Sequence, residues 1–340
     1  MSKTPDLNDQ LILGTLPTDP MSGAKVIAQD VPRVLTVRDL LQSSQERAFD
    51  SKKSRGCTTG NFRLDQITGG LRPGFVWVFG AETSWGKSSF LVMIADENIK
   101  LKRRVLIVSS EDSESIYGDR LMLRRSRVNA NRLREGKLTR EEQARVTNVY
   151  ASSEDSPVFL DARGRGVEWI CLRVKELIRE YKVDVVAYDY LQAFDNEKAQ
   201  QDRRNQVTYL ARVLTDSIKT SGVTGIIFSQ IPVSDAKSRP DKHSIRDSRD
   251  ASHAAEVVML GHTPEKAIVS RDGMEIVAAG QRCILVDKCK DGPRGGYVPM
   301  AWDDNSACFD TAHDPETERI QGIVGNQFDE FADNDEDRYR

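Results

Sequence analysis

Short runs of consecutive apolar residues, separated by longer amphipathic segments, recur along the middle of the chain. Four of these runs are Phe75–Phe79, Val105–Ser110, Val183–Asp189 and Thr224–Ser229. Their length and their lack of alternation are typical of strands buried on both faces, and the segments between them carry apolar residues at helical spacing. Strands that alternate with helices predict an α/β fold, in which helices cover both faces of a mostly parallel twisted sheet.

Other segments extend this pattern. Thr139 and Glu142 form a capping box that predicts the start of a helix. The residues Pro232–Ala251 are polar and show no apolar periodicity, so we interpret them as a long mobile loop. The remaining predicted elements are the strands Val158–Leu160, Glu256–Gly261, Cys283–Lys288 and Tyr297–Trp302 and the helices Trp169–Tyr181 and Arg203–Thr220.

The two ends of the chain differ from its middle. Residues 1–33 contain four prolines without sustained periodicity, which indicates a mobile arm. Residues 34–55 contain a predicted helix, Thr36–Phe49, whose apolar stripe packs either on its own domain or on a neighbouring subunit. Residues 56–312 form the predicted main domain. Residues 313–340 are acidic and predict a disordered tail, the alternative being a tail that docks a partner.

Composition narrows the class of protein. The 340 residues are 39% hydrophobic and 30% charged, and the formal net charge of −3 argues against a generally basic nucleic-acid binder but leaves room for local basic loops. No run of about 18 apolar residues predicts a membrane span, and Met1–Asp6 lacks the apolar core of a signal peptide. Five cysteines without a C-x-x-C pair suggest neither a zinc site nor a disulfide framework. We therefore expect a cytoplasmic protein.

The first apolar run leads into a turn of small residues and then into a helix-like segment, which is the order of a phosphate-binding loop. Gly86 permits the backbone to direct its N–H groups at phosphate oxygens, Lys87 supplies charge for the β- and γ-phosphates, and Ser88 places a hydroxyl on Mg²⁺. Ala81 stands where the usual spacing has glycine. A turn with a solvated lysine is the alternative.

Polar residues also stand at the carboxyl ends of the other predicted strands. In a doubly wound sheet, ligands bind at these carboxyl ends, which form the carboxyl edge of the sheet. Asp189 is suited to hold the Mg²⁺ that Ser88 binds, and Glu111 to deprotonate a water that attacks the γ-phosphate. Gln230 is suited to sense that phosphate. Taken singly, Glu111 is more often a surface carboxylate and Gln230 a loop amide, but together with Lys87 they predict ATP hydrolysis.

Several motifs resemble the ATPase domain of DnaB-type replicative helicases, in the order that the family has them. The similarity runs from about residue 34 to residue 303, and the family tolerates alanine at the position of Ala81. The motifs are Thr58-Thr59-Gly60, Leu64-Asp65, Thr68-Gly69-Gly70-Leu71, Ala81–Ser88, Ser110-Glu111, Tyr188-Asp189-Tyr190-Leu191-Gln192, Ser229-Gln230 and Lys288-Cys289-Lys290-Asp291-Gly292-Pro293.

This resemblance implies a RecA-like P-loop NTPase core in a homo-oligomeric ring, expected to be a hexamer, that uses ATP and Mg²⁺ to travel along single-stranded DNA at a fork. The helix Thr36–Phe49 resembles the linker helix that docks on the next subunit. The family's N-terminal collar, which helps to recruit primase, is expected to be absent because only residues 1–33 precede the linker. A helicase loader or a primase remains a candidate partner.

The resemblance also implies residue roles. Catalysis is assigned to Lys87, Glu111 and Gln230, with Lys288 and Lys290 acting on the γ-phosphate of the neighbouring subunit. Lys290 stands where the family usually has arginine, so it keeps the charge but lacks the planar fork. Mg²⁺ is assigned to Ser88 and Asp189. The expected nucleotide-binding residues are Ala81, Glu82, Thr83, Ser84, Trp85, Gly86, Lys87, Ser88, Ser89 and Arg120.

The expected DNA-binding residues are Arg246, Asp247 and Arg249, in the family's Arg-Glu-Ser-Gly segment; a solvated loop is the alternative. We therefore expect an ATP-dependent replicative helicase of a phage or mobile element, located in the cytoplasm of a bacterial host. Two alternatives stay open. One is a recombinase-like or regulatory RecA ATPase that binds DNA without unwinding it, and the other is a non-enzymatic loading subunit with a residual nucleotide site.

Overall fold

The structure is a computed structural model in which most of residues 56–310 are described. The predicted N-terminal arm and acidic tail lie outside the described residues, and the chain divides into two units, residues 1–54 and 55–340. In the first unit the described positions between 37 and 49 are helical. The described ranges of the second unit are 56–153, 156, 158–194, 203–232, 240–241, 244–245, 249–270, 273–292 and 296–310.

Strands and helices alternate along most of the second unit, as the apolar pattern predicts. The strands are β1 (Val76–Ala81), β2 (Val105–Ser109), β3 (Phe159–Asp161), β4 (Val185–Asp189), β5 (Thr224–Gln230), β6 (Val257–His262), β7 (Ile268–Val269), β8 (Glu275–Val277), β9 (Cys283–Cys289), β10 (Gly296–Pro299), β11 (Ala301–Asp303) and β12 (Cys308–Asp310). The helices are α1 (Phe62–Thr68), α2 (Lys87–Lys100), α3 (Glu114–Ser126), α4 (Ala130–Arg134), α5 (Arg140–Ala151), α6 (Val167–Tyr181), α7 (Arg203–Ser221) and α8 (Arg249–Ala254), with a 3₁₀ turn at Leu191–Ala193.

Eight strands of the described chain form one sheet, in the order β10-β9-β6-β1-β5-β4-β2-β3. The six strands from β6 to β3 in this order are parallel, and β9 and β10 add an antiparallel edge. The predicted α/β fold with a mostly parallel sheet is confirmed. The carboxyl ends of β1, β5, β4 and β2 lie side by side, because these strands are neighbours in the sheet.

Helices cover both faces of the sheet. Successive residues of β1 point to opposite faces, so Val78 packs in the core with α6 and α7, whereas Phe79 packs in the core with α2. The Phe79 ring lies 5.0 Å from the Phe90 ring of α2 and 5.4 Å from the Phe228 ring of β5. None of the helices in the described part of the chain is long and apolar enough to cross a membrane.

Two predictions of local structure are wrong. The predicted strand Tyr297–Trp302 is two strands in different sheets, because β10 pairs with β9 up to Pro299, whereas the chain from Ala301 onward pairs with β12 as β11. The predicted loop Pro232–Ala251 is not irregular throughout, since α8 begins at Arg249 and Ile245 is fully buried. A single buried isoleucine produces no periodicity, so the sequence pattern did not reveal it. The capping box of Thr139 and Glu142 is confirmed at the start of α5.

Candidate nucleotide site

The loop that follows β1 turns sharply into α2. Gly86 precedes α2 with a φ of +108°, a conformation that L side chains rarely adopt. It supplies no side-chain cap, so the first N–H groups of α2, which have no acceptor within the helix, are available to a ligand. The N-terminal end of a helix of 14 residues also attracts anions. The loop therefore has the features of a phosphate site.

Lys87, the first residue of α2, is folded into this loop. Its Nζ donates hydrogen bonds to the carbonyl oxygens of Ala81, at 3.1 Å, and of Glu82, at 3.0 Å. Burial lowers the pKa of Lys87, and the nearby Asp189 and Glu111 carboxylates oppose that shift. The alternative of a turn with a solvated lysine is wrong, because this ammonium group is buried among loop carbonyls.

The other loop residues face two different environments. Thr83 and Ser84 are exposed at the tip of the loop, whereas the Trp85 side chain is buried. The Trp85 ring lies 4.9 Å from the Phe309 ring of β12, and its Nε1 donates to the His262 carbonyl oxygen at 3.3 Å. The Trp85 side chain therefore fastens the loop to the domain.

The hairpin of β11 and β12 supports the loop from behind. A Cβ atom on Gly86 would lie 2.9 Å from the Phe309 ring, so this close approach also requires glycine. Ser89 Oγ donates to the Ala307 carbonyl oxygen at 3.2 Å, which ties the first turn of α2 to the tip of the hairpin. These contacts hold the loop between the sheet and a segment from the far end of the domain.

Asp189, at the end of β4, accepts two hydroxyl hydrogen bonds. Ser88 Oγ donates to Asp189 Oδ2 at 2.9 Å, and the Tyr117 hydroxyl of α3 donates to the same oxygen. Asp189 is 2% exposed. Burial raises its pKa, and the hydrogen bonds from Tyr117 and Ser88 oppose the shift. The structure thus brings together the two residues predicted to hold Mg²⁺ and adds Tyr117, to which the sequence assigned no role.

This donor set fits Mg²⁺. The ion prefers oxygen ligands and is usually held by one or two carboxylates together with the phosphates of its substrate. The buried Asp189 carboxylate beside the Ser88 hydroxyl supplies such oxygens. In the described part of the chain, no group of three His, Cys, Asp or Glu side chains is arranged to hold a metal by itself. The site therefore suits a metal that arrives with a nucleotide.

Glu111 follows the end of β2, close to Asp189. The Ser110 N–H donates to the Asp189 carbonyl oxygen at 3.1 Å, so the ends of β2 and β4 remain paired just before Glu111. Desolvation raises the pKa of Glu111, and the Asp112 and Asp189 carboxylates raise it further. The side chain is still exposed at the edge of the sheet. A carboxylate in this position is accessible to water and is a stronger base than an ordinary glutamate.

Arg120 lies on α3 beside the site. Its Nη1 forms a salt bridge with Asp112 Oδ2 at 2.6 Å, and its guanidinium lies over the Tyr117 ring, 5.6 Å from the centroid. Arg120 is therefore paired with residues of its own segment. Its predicted contact with the nucleotide stays a prediction.

Gln230 ends β5 and pairs with Ala81 in the parallel register, next to the phosphate loop. Its backbone N–H donates to Gln192 Oε1 at 3.2 Å, and Gln192 Nε2 donates to Ser229 Oγ at 2.8 Å. One amide group thus holds the last two residues of β5. Gln192 stands in a family motif, but nothing in the sequence pairs it with Gln230.

Lys288 and Lys290 lie at the opposite end of the strands from the phosphate loop, which we call the amino edge of the sheet. β9 is antiparallel to β6, and Cys289 pairs with Val257, the first residue of β6. β6 is parallel to β1, so the two lysines lie beside the amino ends of the parallel strands. A six-residue strand spans about 20 Å. The structure therefore places these lysines a strand length away from the phosphate loop of their own chain.

The two lysines differ in their surroundings. Lys288 Nζ donates to the carbonyl oxygens of Ser252, at 3.1 Å, and His253, at 2.8 Å, near the end of α8. Lys290 is exposed, and its backbone N–H donates to the Glu256 carbonyl oxygen at 3.0 Å. Of the pair, Lys290 is therefore better placed to meet a second molecule.

The predicted DNA-binding residues are described in part. Arg246 and Asp247 lie outside the described residues, and Arg249 is the first residue of α8. Because α8 leads directly into β6, it ends at the amino edge of the sheet.

Residues 56–311 match the family of the DnaB-like helicase C-terminal domain. The chain is 27% identical over 251 residues to the replicative DNA helicase DnaB of Geobacillus stearothermophilus, and 28% identical over 238 residues to the replicative DNA helicase DnaC of Bacillus subtilis strain 168. These alignments cover 71% and 67% of this chain but 53% and 52% of the relatives. The chain thus spans about half the length of the curated relatives it matches.

Two solved structures share the fold. One is an isolated ATPase domain, which gives a TM-score of 0.72 at 20% identity and covers 83% of this chain and 100% of that chain. The other is a DnaB-like replicative helicase, whose structure was described together with its interactions with primase. It gives a TM-score of 0.69 at 20% identity and covers 83% of this chain and 68% of that chain. The fold is therefore that of a RecA-like ATPase domain, and the chain belongs to the DnaB-like helicase C-terminal domain family.

Proposed function

We propose that this chain is the motor of an ATP-dependent DNA helicase that moves along single-stranded DNA and unwinds duplex DNA during replication. The observation that carries the proposal is the convergence of Lys87, Ser88, Glu111, Asp189 and Gln230 at the carboxyl edge of one parallel sheet. These side chains supply the positioning and the charge that phosphoryl transfer needs. The relatives named above are replicative DNA helicases.

The proposed reaction is hydrolysis of ATP. Lys87 and the first N–H groups of α2 bind the β- and γ-phosphate oxygens. Glu111 accepts a proton from a water molecule as the water oxygen attacks the γ-phosphorus, and the bond from that phosphorus to the bridging oxygen breaks to release ADP. Mg²⁺, held through Ser88 and Asp189, would neutralise phosphate charge when bound.

Gln230 connects this reaction with DNA in the proposal. It ends β5 beside the phosphate loop and is followed by the segment that leads to α8. A change in its side chain when the γ-phosphate leaves would be passed to that segment. We propose Arg246, in that segment, and Arg249, at the start of α8, as contacts to the DNA backbone, since basic side chains bind phosphates without regard to sequence. Asp247, the third residue predicted there, carries a negative charge and would have to accept a hydrogen bond from a base instead.

The proposed assembly is a homo-oligomeric ring, with six subunits as the expected number. Lys288 and Lys290 lie a strand length from their own phosphate loop, so any phosphate they contact belongs to another subunit. The helix in Thr36–Phe49 is proposed to dock on a neighbour, and its described residues Val37, Leu41 and Phe49 carry exposed apolar side chains. A helicase loader or a primase is a further proposed partner. The expected location is the bacterial cytoplasm, where DNA is replicated.

Strand displacement on forked DNA tests the proposal. The wild-type chain should separate the strands with ATP, and both Lys87→Ala and Glu111→Gln should abolish separation. Lys87→Ala should also lose nucleotide binding, whereas Glu111→Gln should retain it. An absence of ATP hydrolysis with DNA present would overturn the motor assignment.

A regulatory or recombination ATPase is the second candidate, and it rests on Lys290. A lysine lacks the planar fork with which arginine spans two phosphate oxygens, which weakens activation between subunits. DNA-stimulated ATP hydrolysis without strand displacement, under conditions in which rings form, would favour this candidate.

A further inference from the structure

Tyr117 provides a contact that the proposed mechanism does not use. It is 4% exposed, and its hydroxyl donates to Asp189 Oδ2, the oxygen that also accepts from Ser88. The two residues are 72 positions apart in the sequence. A buried carboxylate rarely keeps one orientation without donors, because each unsatisfied oxygen is costly to bury. Tyr117 supplies one of those donors.

The Tyr117 ring is itself fixed on two sides. It lies 5.2 Å from the Phe159 ring of β3, and the Arg120 guanidinium covers it. Replacing the hydroxyl with hydrogen would keep both contacts. The hydroxyl can therefore be tested separately from the ring.

The helix that carries Tyr117 is also held firmly. Arg124, about two helical turns further along α3, is buried and donates from Nε to Asp96 Oδ2 of α2 at 3.0 Å. Its Nη1 donates to the Phe309 carbonyl oxygen at 2.5 Å. These bonds tie α3 to the helix that carries Ser88, so the Tyr117 hydroxyl is presented to Asp189 from a fixed position.

We propose that Tyr117 is a positioning residue that fixes the Asp189 carboxylate in the orientation needed to hold nucleotide-bound Mg²⁺ together with Ser88. The inference rests on the proposed function, because it concerns the same site. Tyr117 acts through Asp189 and contacts neither nucleotide nor metal. Since α3 begins three residues after Glu111, the same side chain also links the segment of the water-activating residue to the metal-holding carboxylate.

The test is the binding of a fluorescent ADP by the whole chain, with Mg²⁺ and with EDTA. In Tyr117→Phe we expect the Mg²⁺ concentration for half-maximal tight binding to rise about tenfold, the lower end of the scale for one lost hydrogen bond to a charged group. Binding in EDTA should equal that of the wild type. Tyr209→Phe is the matched control, because it removes a hydroxyl that donates to the Glu168 carboxylate at 2.7 Å on the other face of the sheet.

A double-mutant cycle gives a second readout. If Tyr117 acts through Asp189, adding Tyr117→Phe to Asp189→Asn should leave the Mg²⁺ dependence where Asp189→Asn alone puts it. Equal losses with Mg²⁺ and with EDTA, or a Mg²⁺ dependence identical to that of the wild type, would overturn the inference and leave the proposed function intact. A wild-type chain that binds no nucleotide would overturn both.

Discussion

The carboxyl edge of the eight-stranded sheet holds polar side chains that are already bonded to one another, whereas the amino edge holds two lysines that lie far from the phosphate loop of their own chain. At the carboxyl edge, Lys87 bonds to its own loop, and Ser88 bonds to Asp189. At the amino edge, Lys288 bonds to helix carbonyls and Lys290 is exposed. Both edges carry residues of the same predicted site.

This difference separates the part of the site that one chain assembles by folding from the part that the proposed ring would supply from a neighbouring subunit. The groups proposed to bind the nucleotide and activate water come from neighbouring strand ends, so folding of the sheet sets their relative positions. Lys290 belongs to the same chain, but the antiparallel course of β9 carries it to the far edge. The following predictions test this division, from the largest expected effect to the smallest.

Lys87→Ala should disable the proposed phosphate site at the carboxyl edge. We expect ATP hydrolysis to fall by about 1000-fold, the scale of losing a preorganised positive group at a developing negative charge. Steady-state phosphate release with single-stranded DNA is the measurement. Lys100→Ala, at the other end of the same helix, serves as control because its ammonium group is bonded to Asp96 and Glu97 away from the loop. A Lys87→Ala chain with near-normal turnover would refute the assigned phosphate loop.

Lys290→Ala should remove the proposed contact of the amino edge with a neighbouring subunit. We expect ATP hydrolysis to fall by about 100-fold, since a cation supplied by a neighbouring subunit can contribute that much or more. Mixing Lys290→Ala with Lys87→Ala should restore part of the activity. In a mixed ring, an intact loop of the first variant faces an intact Lys290 of the second. Lys137→Ala, an exposed lysine paired with Glu135, is the control. If mixing restores nothing, Lys290 does not act between subunits.

The acid limb of the pH profile should report on Glu111. Desolvation raises its pKa, the Asp112 and Asp189 carboxylates raise it further, and the charges of Lys87 and Arg120 oppose this shift. Glu111 must be deprotonated to accept a proton, so kcat should fall as pH drops through a value above the ordinary glutamate pKa of about 4.3. Asp112→Asn should move this limb to lower pH, because it removes a charge that raises the pKa. A limb that Asp112→Asn leaves in place would argue against Glu111 as the base.

Lys290→Arg should strengthen the proposed contact between subunits, with the smallest expected effect of the four changes. The planar guanidinium can span two phosphate oxygens, so we expect hydrolysis to increase about threefold. The measurement is kcat for ring-assembled protein. A decrease would show that the site at the interface is shaped around lysine.

The sequence was most informative where local chemistry decides the structure. The buried strands β1, β2, β4 and β5 appear as apolar runs, and the capping box at Thr139 contains both of its partners within four residues. The helix α1 was missed, although Asn61 caps it by accepting from the Leu64 N–H. Seven residues are too few for a periodic signal.

Long-range pairings could not be predicted. Tyr117 appears in the sequence as one more aromatic residue on a helix, and only the tertiary fold brings its hydroxyl to Asp189. The same holds for Gln192, which meets Ser229 and Gln230 across two strand ends. The position of Lys290 depends on the direction of β9, and an apolar run contains no information about strand direction.

The contact between Trp85 and Phe309 has a consequence for the order of events during synthesis. The phosphate loop lies near the start of the domain, but the rings behind it, Trp302 and Phe309, belong to the last two described strands. While the ribosome is still producing the middle of the chain, the loop has a strand before it and a helix after it but nothing behind Gly86. Because the loop lacks this support until then, we expect nucleotide to stabilise the domain late in its synthesis, once Phe309 has emerged.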